Sequence, residues 1–132
     1  MPKRPLKLHV RIPSYRSPRN EWRRLIHAAI VDAQRRSRAR YDATDRLEVA
    51  VRFYMPQSIR TANDVDNRLR DVLDAVQGRS GGSKRARMLT PIVPNDRQIF
   101  RVIVEKQLPP KQSHGLGHLT IRRLGKDALR FN

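Results

Sequence analysis

Hydrophobic residues recur with two different periods along the 132-residue chain. They occupy every second position over Leu6–Ile12 and again over Leu47–Met55, which is the pattern of a strand buried on one face. Pro13 and Pro56 follow these segments, and proline ends a strand because it has no N–H group to donate to the ladder. The alternation therefore predicts two strands, each followed by a break.

Two other segments place apolar residues three and four positions apart, which is the spacing of one helix face. The first helix is expected to begin at Ser17 and Pro18, a cap residue and a first-turn proline. The second is expected to run from Val65 to its end at Gly78. The apolar faces comprise Trp22, Leu25, Ile26, Ala29, Ile30 and Ala33 in the first helix, and Val65, Leu69, Val72, Leu73 and Val76 in the second.

Shorter apolar runs complete the predicted fold. Leu89–Val93 and Ile99–Val104 are expected to be strands on either side of a hairpin-like bend, and His118–Leu124 is expected to be the last strand. Residues 79–88 are rich in glycine, serine, lysine and arginine and indicate a flexible basic loop, and residues 125–132 form a basic tail. We predict a single domain of all 132 residues with an α+β fold, in which a small mixed sheet of about five strands packs against two main helices.

The net charge of +17 narrows the class of partner. It favours a polyanion, because a protein that neutralises phosphates releases their counterions and gains affinity whatever the base sequence. A membrane surface is the other common polyanion, but the basic residues are spread over several elements instead of forming one helix with an apolar opposite face. Ribosomal and architectural proteins are equally basic, so the charge predicts nucleic acid as the partner and leaves enzymatic activity open.

The chain lacks several features that would point to other classes of protein. It contains no cysteine, which excludes disulfides and thiolate metal ligands. Its N-terminus is basic without the apolar run of a signal peptide, and no apolar segment is long enough to cross a membrane. We therefore expect a soluble, cytoplasmic protein.

Four of the twelve carboxylates lie within Thr61–Gln77, on the second predicted helix. Asp64 falls just before its expected first turn, where it can accept hydrogen bonds from free backbone N–H groups. Asp66 and Arg70 are one helical turn apart, and a further acid, Asp96, lies in the predicted bend. Two interpretations remain open: these acids are ordinary caps and solvated ion pairs, or they converge as the oxygen ligands that Mg²⁺ prefers.

The acidic helix resembles the signature of a known family. The D-x-D-N-x-x-K-x-x-x-D-A-L pattern of RusA-type Holliday junction resolvases is similar to Asp64-Val-Asp66-Asn67-x-x-Arg70-x-x-Leu73-Asp74-Ala75-Val76. The family's following D-D-x-Q turn is similar to Asn95-Asp96-x-Gln98, and its late G-x-L-x-I strand to Gly117–Ile121. The resemblance implies a RusA-like fold and a homodimeric endodeoxyribonuclease that resolves four-way DNA junctions by paired symmetric nicks in recombination and repair.

The resemblance also implies roles for individual residues. Asp64, Asp66 and Asp96 would bind Mg²⁺, or Mn²⁺ in its place, and form the catalytic triad. A divalent ion held there would acidify the attacking water and offset the negative charge that develops at phosphorus. Arg70 stands where the family has lysine and would hold the scissile phosphate as a further catalytic residue. Asn95 stands where the family has the first acid of its turn, so only Asp96 carries over as an anionic ligand.

The expected partners are branched DNA and a second copy of the chain, with neither a membrane nor a small-molecule substrate. Residues predicted to contact DNA are basic and flank the acids: Arg60, Arg70, Arg79, Lys84, Arg85 and Arg87. Alternatively, Arg60 is a solvated loop residue that does not contact DNA. The arginines at the end of the first helix, Arg35, Arg36, Arg38 and Arg40, either complement the helix dipole or contact the DNA backbone.

The histidines and aromatic residues suggest no further site. His9, His27, His114 and His118 lack the spacing of metal ligands, and each is expected to be an ordinary histidine. Tyr15, Trp22 and Tyr54 are candidates for stacking on bases, but Trp22 is better explained as helix core and the tyrosines as amphipathic surface.

Overall fold

The computed structural model describes residues 7–14, 18–54, 62–78, 92–94, 96–108 and 117–125, with the backbone alone for residues 19, 62–66 and 96. Its elements are β1 (Lys7–Ile12), α1 (Arg19–Ser37), β2 (Leu47–Tyr54), α2 (Ala62–Val76), β3 (Ile99–Gln107) and β4 (Gly117–Arg123). A short 3₁₀ helix, Asp96–Gln98, precedes β3. The architecture is therefore mixed α and β, in one domain.

The four strands form one mixed sheet in the order β1-β4-β2-β3. Strand β4 is antiparallel to both of its neighbours, β1 and β2, whereas β2 and β3 are parallel. A parallel pair needs a crossover connection, and α2 lies in that connection. One end of the sheet contains Leu47 opposite Ile99, and the other contains Ile12, Phe53 and Gly117 side by side. We call these the Leu47 end and the Phe53 end.

Both helices contribute to one core on one face of the sheet. The alternate residues of β1 and β2 that point to this face are buried, as are three side chains of α1, Trp22, Ile26 and Ile30. The indole nitrogen of Trp22 donates a hydrogen bond to the carbonyl oxygen of Pro13 at 3.0 Å, just beyond β1. This bond places the start of α1 at the Phe53 end. The opposite face of the sheet carries no described helix, and we call it the open face.

The strongest sequence patterns predicted their elements correctly. The strand before Pro13, the two helices, the strand from Leu47 and the last strand are all present. The ends differ in detail: Pro18 is the N-cap of α1 and makes no side-chain cap hydrogen bond, so the predicted position of the cap was wrong. Helix α2 begins at Ala62, so Asp64 lies inside the helix and does not precede it.

The predicted hairpin around Asp96 was wrong. Ile92 and Val93, which end the predicted strand, lie in a bend, and the rest of that segment is outside the described residues. Their backbone N–H groups donate to the carbonyl oxygen of Val76, at 3.0 and 3.3 Å, so their burial reflects packing against the end of α2. Strand β3 pairs with β2 in parallel and has no hairpin partner among the described residues. The sheet thus has four described strands, where about five were expected.

Neither of the two described helices combines the length and the apolar character that crossing a membrane requires.

Candidate functional site

The first turns of α2 carry the residues that were predicted to bind a metal. The backbones of Asp64 and Asp66 are helical, but their side chains are outside what the structure describes. Arg70 lies one turn later on α2, is exposed, and forms no ion pair with the residues described. The assignment of Asp64 and Asp66 as metal ligands stays a prediction.

The other two acids of α2 are bound by an arginine of α1. The Nε and Nη2 atoms of Arg23 each lie 3.0 Å from Asp71 Oδ1, and Nη2 lies 3.1 Å from Asp74 Oδ2. The Asp71 side chain is fully buried and that of Arg23 is 8% exposed. A charge in such a place needs a paired, hydrogen-bonded partner. Asp71 and Asp74 therefore join the two helices, a role that the sequence analysis missed because Arg23 is 48 residues from Asp71.

The segment that contains Asp96 is fastened to the Leu47 end of the sheet. Gln98 is buried, and its side-chain amide donates to the carbonyl oxygens of Asp42 and, at 2.8 Å, Asp45. The next residue, Ile99, lies opposite Leu47. Gln98, the last residue of the Asn95-Asp96-x-Gln98 turn, therefore ties β3 to the loop before β2. The Asp96 side chain is not among those described.

Helix α2 contacts the other end of the sheet through Arg68, the seventh of its 15 residues. The guanidinium of Arg68 lies 5.5 Å from the centre of the Trp22 ring, and Trp22 is hydrogen-bonded to Pro13. The Phe53 and Leu47 ends are about 20 Å apart, at about 3.3 Å per strand residue. No described contact brings the Asp96 segment to the first turns of α2. The joint site of the three carboxylates stays a prediction.

Metal ligands do not cluster elsewhere in the described part of the chain. Its histidine, aspartate and glutamate side chains form no group of three or more that could hold an ion. The side chains of the three predicted ligands lie outside the described part. Of the residues predicted to contact DNA, only Arg70 is described; Arg60, Arg79, Lys84, Arg85 and Arg87 lie in the segments outside the description.

The open face has a polar cleft that the sequence analysis did not predict. Its volume is about 180 Å³, and it crosses all four strands. The rings of His9 and His118 stack there, with centroids 5.0 Å apart and planes at 19°, and Tyr54 meets His118 edge-on at 5.5 Å. Polar side chains that line the cleft are Lys7, His9, Arg52, Glu105, His118 and Thr120. The two histidines are 109 residues apart, so their spacing gave no signal of this pairing.

The chemistry of this cleft suits an anion. Burial lowers the pKa of His118 below its ordinary value of 6.5, and electrostatic interactions with the neighbouring His9, Arg11 and Arg52 lower it further. Its Nδ1 atom is buried and has no described hydrogen-bond partner. Arg52 and Glu105 are 3.9 Å apart and about half exposed, so their attraction is weak. A bound phosphate would offset the excess positive charge.

Glu48 organises the rest of the open face. Its carboxylate accepts hydrogen bonds from Arg122 Nε and Arg101 Nη1, both at 3.0 Å, and its side chain is 6% exposed. The bond from Arg122 is the main cause that lowers the pKa of Glu48, and Arg101 adds to it. Glu48 thus connects the central strand β2 to β4 and β3.

No family model, curated protein or solved structure matches this chain. The likeness to RusA-type resolvases stays a resemblance carried by residues of α2, the Asp96 segment and β4.

Proposed function

We propose that the protein is a Mg²⁺-dependent, structure-specific endodeoxyribonuclease that acts on four-way DNA junctions in recombination and repair. The main observation behind this proposal is that the four acids of α2 fall into two pairs. Asp71 and Asp74 bind Arg23, whereas Asp64 and Asp66 lie in the first turns of the helix, at the positions where the resemblance places metal ligands. That start follows the carboxyl end of β2, a strand of the parallel pair, and ligands of open α/β sheets commonly bind at this end.

The charge of the chain supports DNA as the substrate. A net charge of +17 favours the phosphate backbone without reading bases. The described residues of the open face add an excess of positive charge near the stacked histidines, from Lys7, Arg11 and Arg52 against Glu105. Contacts of this kind recognise the shape of the DNA and not its sequence, which suits a branched substrate.

The proposed chemistry divides between the ion and the side chains. Asp64, Asp66 and Asp96 would hold Mg²⁺, which would acidify an attacking water and offset charge on the scissile phosphate. Arg70 is exposed one turn beyond Asp66 and keeps its positive charge at any physiological pH, so it can bind a phosphate oxygen but cannot act as a base.

A second candidate is a basic DNA- or RNA-binding protein without catalytic activity. It is favoured by two contacts at opposite ends of the sheet. Gln98, two residues after Asp96, binds the loop before β2 at the Leu47 end, whereas Arg68 of α2 lies over Trp22 at the Phe53 end. In this alternative Asp64 and Asp66 are ordinary helix residues.

The two candidates differ in one assay. A labelled four-way junction is incubated with Mg²⁺ and with wild-type protein or Asp66→Asn, and cleavage and binding are measured together. We expect symmetric nicks from the wild type, and binding without nicks from the variant. The control is Asp32→Asn, which also removes one negative charge, at a side chain that is 58% exposed and paired only with Arg36 among described residues. It should cut like the wild type. Binding without cleavage by the wild type, with Mg²⁺ or Mn²⁺, would support the second candidate.

A further inference from the structure

Strand β3 forms an unusual edge of the sheet. It is last in the strand order, so one side of its nine-residue backbone has no strand partner among the described residues. Three consecutive apolar side chains at its centre are exposed, Val102 by 44% and Ile103 and Val104 by 39% each. An exposed edge strand is a template for pairing with another chain, and β3 also carries charges at Arg101, Glu105 and Lys106 that restrict the registers in which it can pair. Among the described residues, the edge of β3 thus lacks the partner strand that would cover it.

We infer that the partner is a second copy of the same chain, with the two β3 strands antiparallel about a two-fold axis at Ile103. The pairing would join two four-stranded sheets into one eight-stranded sheet. It would also remove both unpaired edges at once, as a closed two-fold interface does. The inference depends on β3 and not on the proposed nuclease activity.

The charges of β3 select this register. Side chains alternate between the faces of a strand, so a two-fold axis perpendicular to the sheet places residues of the same face opposite each other. With the axis at Ile103, Arg101 lies opposite the partner's Glu105, and the same pair occurs again across the axis. Val102 then lies opposite the partner's Val104. Opposite charges and apolar pairs in these positions each stabilise a sheet.

Neighbouring registers are less favourable. An axis at Arg101 or at Glu105 would place that charged residue opposite its own copy, and like charges directly opposite are destabilising. An axis at Val102 would place the partner's Glu105 opposite Ile99. An axis at Val104 would place the partner's Glu105 opposite Ile103. Among these five registers, only the one centred on Ile103 pairs both signs of charge while Val102, Ile103 and Val104 lie opposite apolar residues.

Engineered cysteines test the register, because the natural chain has no cysteine. Directly opposed residues of antiparallel strands have Cα atoms about 4.5–5.5 Å apart, which is within the range that a disulfide spans. We expect Ile103→Cys to form a disulfide-linked dimer under mild oxidation. Val102→Cys, Val104→Cys and Glu105→Cys are matched controls, since each would cross-link efficiently only in a different register. A maximum at any control position would overturn the proposed register.

Light scattering and hydrogen exchange test the surface itself. The full chain should be a dimer at micromolar concentration, and Glu105→Lys should raise the dimer dissociation constant about tenfold because it creates two like-charge pairs. A wild-type monomer would overturn the proposal. So would a dimer in which the β3 amides exchange freely. Protected β3 amides in a monomer would show that another segment of the same chain covers the edge, which is also incompatible with the proposal.

Discussion

Replacing Arg23 by methionine tests whether the ion cluster between α1 and α2 is needed for the fold. Methionine keeps most of the apolar stem of arginine but removes its charge and its donors. Asp71, which is fully buried, then loses the two 3.0 Å contacts with Arg23, and Asp74 loses one at 3.1 Å. Removing one partner of a buried ion pair costs about 3–5 kcal/mol, because the remaining charge stays desolvated. A domain of this size is stable by only about 5–15 kcal/mol.

Urea denaturation followed by Trp22 fluorescence measures this loss, since Trp22 is the only tryptophan and is fully buried beside α2. The control is Arg36→Met, which breaks an exposed pair with Asp32 and should cost less than about 1 kcal/mol. Adding Asp71→Asn to Arg23→Met should recover part of the stability, because it removes a buried negative charge that no longer has the Arg23 guanidinium beside it. A loss below about 1 kcal/mol for Arg23→Met, or no coupling between the two positions, would refute the assigned role.

Three further predictions concern the sheet. Gly117→Ala should cost about 1–3 kcal/mol by urea denaturation, because an added Cβ would overlap the backbone carbonyl of Arg52 in the adjacent strand. Glu48→Gln should be less stable than the wild type above pH 4.5, and the difference should shrink as the pH falls further, because a lowered pKa gives stability that is lost when the folded carboxylate is protonated; a difference that does not vary with pH would contradict this. The pKa of His118, followed by NMR, should rise when duplex DNA or inorganic phosphate binds the open face, because the anion offsets nearby positive charge; an unchanged pKa at saturation would contradict an anion site there.

Local periodicity was sufficient to predict most of the described elements. The residues of β1 alternate strictly between exposed and buried, and α2 has its apolar residues on one face. Such patterns arise because a single element must bury one side, whatever its partner is. Leu89–Val93 was predicted to be a strand, but its described residues, Ile92 and Val93, lie in a bend. Apolar residues that pack against the end of a helix have no periodic spacing, so the pattern could not distinguish them from a short strand.

The pairing between elements could not be read from one sequence. Nothing in the alternation of β3 indicates that it pairs in parallel with β2 and not with a preceding strand. The contacts of Arg23 with Asp71 and of His9 with His118 join residues 48 and 109 positions apart. The family pattern drew attention to α2, but it did not show that two of the acids of this helix bind Arg23 of α1.

The antiparallel dimer would change where the predicted ligands meet. Antiparallel β3 strands bring the Leu47 end of one sheet beside the Phe53 end of its partner, so the Asp96 segment of one copy lies at the same end as the start of α2 in the other. If the proposed nuclease site is shared in this way, a mixture of Asp66→Asn and Asp96→Asn proteins, each inactive alone, should regain cleavage, because half of the sites in a mixed dimer have all three carboxylates. Such a dimer should nick one strand of a junction and not cut in symmetric pairs. Continued inactivity, with mixed dimers verified by mass spectrometry, would mean that the acids do not act across the interface, whereas the cysteine cross-link would still test the dimer itself.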